Sequence, residues 1–461
     1  MIRVALPTGD LRAPTAAMLD AAGCPIPAYA AGSRALRFDF AGGTAVARVF
    51  REKDIPVQVA LGHYDLAICS LSWVEELSQR FPRHEVVRLC DLGYGARSLW
   101  LASAGGAWAP SVRIVSEYAN IAEAVARQLR LPRWRVFAVK GAAEAYPPED
   151  ADLALVEAAP AEGVEASGLK PFARVFESSA WLIANRRSLA ERDLTALLPA
   201  LFAQGSSRGP GRRIEIPSGV ALETTGAVGP RARLRLALPD GHSQKPTAEV
   251  LRAAGIRVFG YDEGAVVRRP QVDVEGVEVK VIRPQDMPQQ VAVGHFDLAV
   301  TGRDVLFDFK VQFPSAPVEE VVDLRRSRYG LAAIVKDVPA QTVADAVEHW
   351  RATRAGQPIR VASEFPNIAD HFARERHLGR YSVIPIAGAS EGFVPDDAEI
   401  LIEGIDTGSS VRANKLTVLE RFFESTNCVI AHPRRPEGPL RATFDALVER
   451  LRAAAAEPVG A

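Results

Sequence analysis

Two long stretches of the 461-residue chain have closely similar sequences. Residues 3–23, RVALPTGDLRAPTAAMLDAAG, align with residues 235–255, RLALPDGHSQKPTAEVLRAAG, at an offset of 232 residues (235 − 3). The same register pairs Gly62-His-Tyr-Asp-Leu-Ala67 with Gly294-His-Phe-Asp-Leu-Ala299. Because each repeat of this kind folds as one structural unit, self-similarity over such lengths limits the chain to a duplicated architecture. The sequence is a tandem duplication.

The later part of each copy follows a second register. Residues 113–122, RIVSEYANIA, align with residues 360–369, RVASEFPNIA, at an offset of 247 (360 − 113). This offset also pairs residues 176–184, FESSAWLIA, with residues 423–431, FESTNCVIA. The second copy therefore carries 15 additional residues (247 − 232) within 331–359. We interpret the change of register as the crossing between two lobes of each copy.

Short apolar runs alternate with amphipathic stretches along both copies, a pattern typical of α/β folds with parallel strands. We predict two tandem copies of a two-lobed α/β unit with mainly parallel sheets, over residues 1–204 and 232–461. The second lobe of each copy is expected as an insertion at about residues 100–180 and 331–427. Residues 205–231 are rich in Gly, Ser, Pro and Arg and are predicted to form a linker.

Composition excludes several classes of partner. The 55 basic and 56 acidic residues give a formal net charge of −1, so no overall attraction to nucleic acid or to an anionic membrane is expected. No stretch approaches the roughly 18 to 20 apolar residues of a membrane span, and we predict a cytoplasmic protein. The cysteines share no metal-like spacing and are expected as buried free thiols; they are Cys24, Cys69, Cys90 and Cys428.

The second copy contains a stretch typical of a phosphate site. An apolar strand that starts at residue 399 ends on Glu403, and a short Gly-bearing loop that contains Asp406 then leads into a helix. The residues at this helix start are Thr407, Gly408, Ser409 and Ser410. Backbone N–H groups and hydroxyls at a helix start can bind a phosphate monoester, and the two carboxylates can receive ribose hydroxyls. The alternative is an ordinary helix cap, in which Ser and Thr are also favoured.

The matching loop of the first copy has lost these features. Pro160 stands at the position of Thr407, and Glu162 stands at the position of Ser409. Proline lacks an N–H donor, and a carboxylate repels a phosphate. The contrast favours a phosphate site over a cap in the second copy. The first copy is expected to keep the fold without binding phosphate.

The ordered set of motifs resembles the catalytic subunit of ATP phosphoribosyltransferase. The strings are ALP-x-G, R-x-x-D-[IM]-P, G-x-x-DLA, DLGYG, R-[IV]-x-SE-[YF]-x-N, G-A-x-E and TG-x-S, and they cover almost all of both copies outside the linker. The resemblance implies a type II periplasmic-binding-protein-like fold in each copy. It also implies a glycosyltransferase that moves phosphoribosyl from phosphoribosyl pyrophosphate to N1 of ATP, the first step of histidine biosynthesis, with Mg²⁺ on the pyrophosphate.

The same resemblance assigns candidate roles to residues. The phosphate-loop residues named above, together with Glu403, would hold the 5′-phosphate and ribose, with the adenine between the lobes. Asp240, Gly241 and His242 of the opening loop are nucleotide-cleft candidates. Glu144 and Glu391 of the two G-A-x-E strings are expected as cleft residues or as helix caps. His63 and His295 of the two G-H-[YF]-D-L-A strings are expected to have structural roles, with acid–base chemistry as the alternative.

The arginines suggest a composite active site. Arg34 lies in a Ser-Arg-x-Leu string that only the first copy keeps, whereas Arg51 and Arg283 occupy one aligned position in the two copies. The resemblance implies subunits that form dimers, in which each active site includes a basic residue of the neighbouring subunit. We hypothesise that Arg283 and the phosphate loop of the second copy act with Arg34 and Arg51 of the first. The alternative is that these arginines are ordinary surface or ion-pair residues.

The opening loops depart from the family pattern, because neither copy has the basic residue that the family carries in a K-G-R-L string. The first copy has Thr8-Gly-Asp-Leu11, and the second has Asp240-Gly-His-Ser243. Two further hypotheses therefore stay open. One is a phosphoribosyltransferase with a different heteroaromatic acceptor, and the other is a non-catalytic nucleotide- or amino-acid-binding regulatory protein. Self-association and a regulatory subunit are both open as partner hypotheses.

Overall fold

The computed structural model describes most of the chain. The described residues are 1–29, 36–105, 111–159, 162–206, 214, 232–261, 267–354, 356–388, 390–406 and 408–456. Most of the predicted linker lies outside these ranges. The chain divides into two units, the first comprising residues 1–138, 146–226 and 386–392, and the second comprising residues 139–145, 227–385 and 393–461. Each unit thus holds one copy, except for one segment of seven residues. Residues 139–145 of the first copy belong to the second unit, and the aligned residues 386–392 of the second copy belong to the first unit.

In the first unit, strands and helices alternate along the chain, as the apolar pattern predicts. Its elements are β1 (Ile2–Pro7), α1 (Arg12–Ala21), β2 (Arg37–Phe40), β3 (Ala45–Phe50), α2 (Ile55–Ala60), β4 (Leu66–Ser70), α3 (Leu71–Arg80), β5 (Val86–Asp91), β6 (Arg97–Ser103), β7 (Val112–Ser116), α4 (Ala119–Gln128), β8 (Trp134–Ala138), β9 (Leu153–Ala158), α5 (Glu162–Glu165), β10 (Lys170–Ser178), β11 (Ala180–Asn185), α6 (Arg186–Glu191) and α7 (Leu198–Phe202).

These strands form two sheets, in the orders β2-β3-β1-β4-β11-β5 and β10-β6-β9-β7-β8. Strand β1 pairs in parallel with β3 and β4, and β7 pairs in parallel with β8 and β9. The chain leaves the first sheet after β5 and returns as β11, which lies antiparallel between β4 and β5. Each lobe therefore combines a parallel part with antiparallel pairs at the crossings.

The second unit repeats this plan, which confirms the α/β class and the duplication. Its elements are β12 (Leu234–Pro239), α8 (Gln244–Ala253), β13 (Val258–Phe259), β14 (Gln271–Val272), β15 (Val277–Ile282), α9 (Met287–Ala292), β16 (Leu298–Gly302), α10 (Arg303–Gln312), β17 (Glu319–Asp323), β18 (Tyr329–Val335), α11 (Val343–Thr353), β19 (Ile359–Ser363), α12 (Pro366–Glu375), β20 (Tyr381–Pro385), β21 (Ile400–Ile405), α13 (Ser409–Ala413), β22 (Thr417–Ser425), β23 (Asn427–Ala431) and α14 (Pro439–Ala456). The two main sheets have the orders β15-β12-β16-β23-β17 and β20-β19-β21-β18-β22.

Helix α11 lies where the second copy carries its additional residues. It begins with a capping box, in which the Thr342 hydroxyl accepts from Asp345 N and the Asp345 carboxylate accepts from Thr342 N. These bonds satisfy N–H groups that have no partner within the helix. Val343, Val347 and Trp350 are buried at helical spacing, so the insertion packs into the core of its lobe.

Apolar side chains on both faces of the strands form the cores. The cysteines are free and buried, as predicted. Among the described residues, no helix combines the length and the apolar character needed to cross a membrane.

In the first lobe of the first unit, a buried carboxylate connects strand β1 with helix α6 and the residue that follows this helix. The Asp65 side chain is 0% exposed and accepts bonds from Arg3 N at 2.8 Å, Ser188 Oγ at 2.7 Å and Arg192 Nη1 at 2.7 Å. Burial raises the pKa of this carboxyl, but the hydrogen bonds outweigh burial and the pKa lies below its ordinary value. Asp297 accepts the equivalent bond from Arg235 N at 2.8 Å in the second unit.

Replacing Asp65 with asparagine is expected to lower the free energy of unfolding by about 2 to 3 kcal/mol at neutral pH, because three donors then face an amide. Since the folded-state pKa is lowered, this contribution is present above the ordinary carboxyl pKa of about 4 and is lost as the pH falls below it. Urea unfolding at pH 7 and at pH 3.5 measures both effects. The exposed Asp20→Asn variant is the control, and equal losses for the two variants would contradict the role of Asp65.

Candidate functional site

The predicted phosphate loop follows strand β21. Glu403 is half-buried on this strand, Asp406 is exposed just beyond its end, and α13 begins at Ser409. Gly408 has a φ of +69°, a backbone conformation that favours glycine, and a Cβ added there would lie 3.3 Å from Nη1 of Arg412. The chain thus turns at Gly408 with a guanidinium beside the turn. Thr407 lies outside the described residues, as do the side chains of Ser409 and Ser410.

A cavity of about 430 Å³ lies beside this loop in the second unit. Its lining includes Tyr329, Ile405, Asp406 and Arg421, drawn from β18, β22 and the end of β21. Arg421 Nη1 donates to the carbonyl oxygen of Ile405 at 3.4 Å. Arg421 therefore places a positive charge next to Asp406. The sequence motifs give no sign of Arg421, because only the pairing of β22 with β18 brings it to this lining.

The opening loop of the second copy is built around a buried carboxylate. Asp240 is 6% exposed; its Oδ2 accepts from Arg268 Nη1 at 2.8 Å, and its Oδ1 lies 3.1 Å from Arg283 Nη1. The structure thus brings the predicted Arg283 and Asp240 together. The other two loop candidates, Gly241 and His242, are exposed next to Asp240. Asp240 thus lies between two guanidinium groups.

Sequence reasoning missed Arg268. Its Nε donates to Glu144 Oε1 at 3.0 Å, and its side chain is 19% exposed. Burial lowers the pKa of the guanidinium, but the neighbouring carboxylates of Asp240 and Glu144 outweigh burial and raise it. The aligned position in the first copy is Leu36, so no shared motif marks Arg268.

The segment of residues 139–145 belongs to the second unit although it comes from the first copy. Both oxygens of Asp286 lie 3.0 Å from Lys140 N. A Cβ added at Gly141 would lie 2.6 Å from Nε of Arg283. This segment therefore lies directly against the arginine that the sequence singled out.

The aligned segment, residues 386–392, belongs to the first unit. Ala387 N donates to Asp54 Oδ2 at 2.9 Å, which repeats the Lys140 bond to Asp286. Glu391 lies in this segment and so belongs to a different unit from Asp240. The structure does not group Glu391 with the opening loop of its own copy, and its role stays a prediction.

The first-copy arginines have less support from the structure. Arg34 lies outside the described residues. Arg51 is exposed before α2. The first copy has Thr8 at the position of Asp240, so Arg51 has no carboxylate there to hold it as Arg283 is held. The composite site with Arg34 and Arg51 stays a prediction.

In the first copy, a carboxylate takes the place next to the lost phosphate loop. Glu157, aligned with Gly404, accepts from Ser72 Oγ at 2.8 Å and from Tyr118 OH at 3.0 Å. Burial raises the pKa of Glu157, and these two bonds lower it by less. Burial likewise raises the pKa of Glu52. The first copy therefore has a buried carboxyl group at the position of Gly404.

The two histidines of the repeated string make matching contacts within their own copies. His63 Nδ1 lies 2.8 Å from Gln58 Oε1, and His295 Nδ1 lies 2.7 Å from Gln290 Oε1. Each ring thus fastens the turn between a helix and the next strand. This geometry favours the structural role over acid–base chemistry.

Comparison with known proteins connects this geometry to one family. The family model for ATP phosphoribosyltransferase (HisG) matches residues 51–203 and 283–453. The ATP phosphoribosyltransferase of Saccharolobus solfataricus is 31% identical over 202 residues, which cover 43% of this chain and 64% of that protein. The enzyme of Chlorobium luteolum is 31% identical over 212 residues, which cover 45% of this chain and 66% of that protein. The chain thus matches under two thirds of the length of these relatives.

Two solved structures are similar to about half of the chain at low sequence identity. An ATP phosphoribosyl transferase (HisG:HisZ) complex from Thermotoga maritima has a TM-score of 0.37 and 17% identity, covering 48% of this chain and 98% of that one. The alkanesulfonate-binding protein SsuA from Xanthomonas axonopodis pv. citri, bound to MOPS, has a TM-score of 0.32 and 14% identity, covering 50% of this chain and 73% of that one.

Replacing Glu157 with glutamine tests the buried carboxyl group of the first copy. Because the folded-state pKa of Glu157 is raised, the folded wild type holds this proton more tightly, and its stability falls as the pH rises from the ordinary carboxyl pKa to the folded one. The glutamine side chain does not titrate, so the variant does not lose stability in this way as the pH rises. Its free energy of unfolding relative to the wild type should therefore rise between pH 4.5 and pH 8, as measured by urea unfolding. A difference that does not change with pH would refute this, and the exposed Glu165→Gln is the control.

Proposed function

Because the chain belongs to the ATP phosphoribosyltransferase (HisG) family, we propose that it transfers phosphoribosyl from phosphoribosyl pyrophosphate to N1 of ATP. We place the reaction in the second copy, as the first step of histidine biosynthesis in the cytoplasm. The observation that carries this assignment is the difference in charge between the copies. The second copy has Arg412 beside its phosphate loop and Arg268 and Arg283 at its opening loop, whereas the first has Glu157 at the position of Gly404.

The phosphate loop is the proposed site of the donor's 5′-phosphate. Backbone N–H groups at the turn of Gly408 and at the start of α13 would bind the phosphate, and Thr407, Ser409 and Ser410 would add hydroxyls. Arg412 would neutralise charge at the same place. Glu403 and Asp406, at the end of β21, would accept the ribose hydroxyls.

The reaction needs positioning and charge neutralisation more than a protein nucleophile. The lone pair of adenine N1 forms the new bond to ribosyl C1′, while the bond from C1′ to the pyrophosphate oxygen breaks and its electron pair leaves with pyrophosphate. Positive charge develops at the ribosyl centre and negative charge on the leaving group. Arg283 and Arg268 are the proposed partners of that negative charge, since guanidinium groups match phosphate oxygens in geometry.

Magnesium is part of this proposal as a companion of the donor's pyrophosphate. The residues around Asp240 do not fit an ion held by the protein itself. Arg268 and Arg283 already occupy that carboxylate, and their charges would repel a second cation. We therefore assign no step to the ion.

One observation favours a second candidate function, transfer to a different heteroaromatic acceptor. The exposed side chain that follows Asp240 and Gly241 in the opening loop is His242, and no arginine lies in that loop. A histidine cannot bind a phosphate through two parallel N–H groups as arginine does. This change would alter the affinity for the triphosphate of ATP more than the handling of the donor.

Incubation with phosphoribosyl pyrophosphate, ATP and Mg²⁺, followed by the absorbance of phosphoribosyl-ATP, tests the proposal. We expect turnover by the wild type and a loss of roughly 100-fold in kcat/KM for Thr407→Ala, because a donor to the phosphate is removed. Pro160→Ala, the matched change in the first copy, should leave the rate unchanged. Tight binding of phosphoribosyl pyrophosphate without turnover would favour the different acceptor, and the absence of both would contradict a transferase.

Variants of the first-copy arginines test the composite site with the same assay. A composite site predicts that Arg34→Ala and Arg51→Ala lower kcat/KM, because each removes a charge from the leaving group's surroundings. Wild-type rates in both variants, with Thr407→Ala inactive, would remove these two arginines from the chemistry.

A further inference from the structure

A carboxylate from the first copy holds an arginine of the second copy's opening loop, inside the second unit. Glu144 lies in a short 3₁₀ turn, Ala143–Ala145, and its Oε1 accepts from Arg268 Nε at 3.0 Å. The side chains are 28% and 19% exposed, respectively. At this burial the pair is weakly screened by salt, and the bond is charge-assisted.

The contact continues as a chain of alternating charges. Arg268 also donates from Nη1 to Asp240, whose other oxygen lies 3.1 Å from Arg283 Nη1. Arg268 is therefore held at two nitrogens of one planar group, which sets the orientation of that plane. Arg283 is 42% exposed and keeps part of its guanidinium open to a ligand.

The backbone of the same segment is anchored independently of these charges. Asp286 accepts the N–H of Lys140 with both oxygens, and Gly141 lies against the Arg283 side chain. With the backbone fixed, Glu144 has a defined distance to Arg268. The charge chain is thus built on a rigid base.

The first unit shows that docking of such a segment does not require the charges. There the aligned segment keeps the backbone anchor, from Ala387 N to Asp54. Thr8 replaces Asp240 and Leu36 replaces Arg268 in this unit. Gly392 lies close to Leu36, since a Cβ added at Gly392 would be 3.4 Å from Leu36. The aligned segment thus docks without the ion pair that Arg268 forms in the second unit.

We propose that Glu144 is a positioning residue for the leaving pyrophosphate of the second copy's reaction. Together with Asp240 it holds Arg268 in the orientation that receives a phosphate group, and Asp240 keeps Arg283 close by through an ion pair. This inference rests on the proposed function. It gives the first copy a part in the reaction that does not depend on Arg34 or Arg51.

Glu144→Gln is the direct test, because it keeps the shape and one acceptor but removes the charge. We expect the KM for phosphoribosyl pyrophosphate to rise about tenfold, the size of one charge-assisted hydrogen bond, with a change in kcat of less than about threefold. Glu144→Asp, which keeps the charge on a shorter side chain, should lie between the wild type and Glu144→Gln. The thermal unfolding midpoint should stay at the wild-type value in both variants.

A double-mutant cycle identifies the path through Arg268. If Glu144 acts by holding Arg268, adding Glu144→Gln to Arg268→Gln should raise KM by much less than tenfold. Full additivity of the two changes would overturn the positioning role. Glu191→Gln is the control, since it removes a carboxylate from the exposed pair with Arg187.

The outcomes separate this inference from the proposed function. A wild type that neither turns over nor binds phosphoribosyl pyrophosphate in a calorimetric titration would overturn the proposed function and the inference together. An active wild type with an unchanged KM in Glu144→Gln would overturn the inference alone. A raised KM with a wild-type unfolding midpoint would support it.

Discussion

The candidate site depends on one backbone anchor, in which the N–H of Lys140 donates to both carboxylate oxygens of Asp286. A buried carboxylate needs donors, and a loop N–H removed from water needs an acceptor, so each satisfies the other. This anchor sets where Gly141 and Glu144 lie, and they in turn contact Arg283 and Arg268. The same carboxylate position in the first copy, Asp54, anchors Ala387 N. The exchange of segments is therefore a property of the duplicated fold, and only the side chains placed on it differ.

The two copies differ in charge at a few aligned positions. Where the second copy has Gly404 beside its phosphate loop, the first has Glu157, held by Ser72 and Tyr118. Where the second has Asp240 and Arg268, the first has Thr8 and Leu36. A carboxylate disfavours a phosphate beside it, whereas guanidinium groups favour one. Because these positions lie on the same scaffold in both units, the difference in charge required no change in the order of strands.

Much of the fold follows from local patterns that the sequence displays. The two registers predicted the duplication, and the alternation of apolar runs predicted the α/β class. The same alignment singled out Arg283 and the loop after β21. The G-A-x-E string marks Glu144 as a cleft residue or a helix cap, but it does not show the contact with Arg268. Arg268 and Arg421 escaped prediction because their positions arise from a contact across more than a hundred residues and from strand pairing, and neither leaves a periodic or spaced signal in the chain. Arg268 has Leu36 as its aligned residue, so even the comparison of the two copies gave no hint of it.

We propose that the duplicated chain has one donor site, in the second copy. Calorimetric titration of the full chain with phosphoribosyl pyrophosphate is the decisive experiment, because the stoichiometry counts sites without requiring turnover. We expect one molecule bound per chain. Two equivalent sites per chain would contradict it, since the first copy would then bind phosphate despite the carboxylate of Glu157.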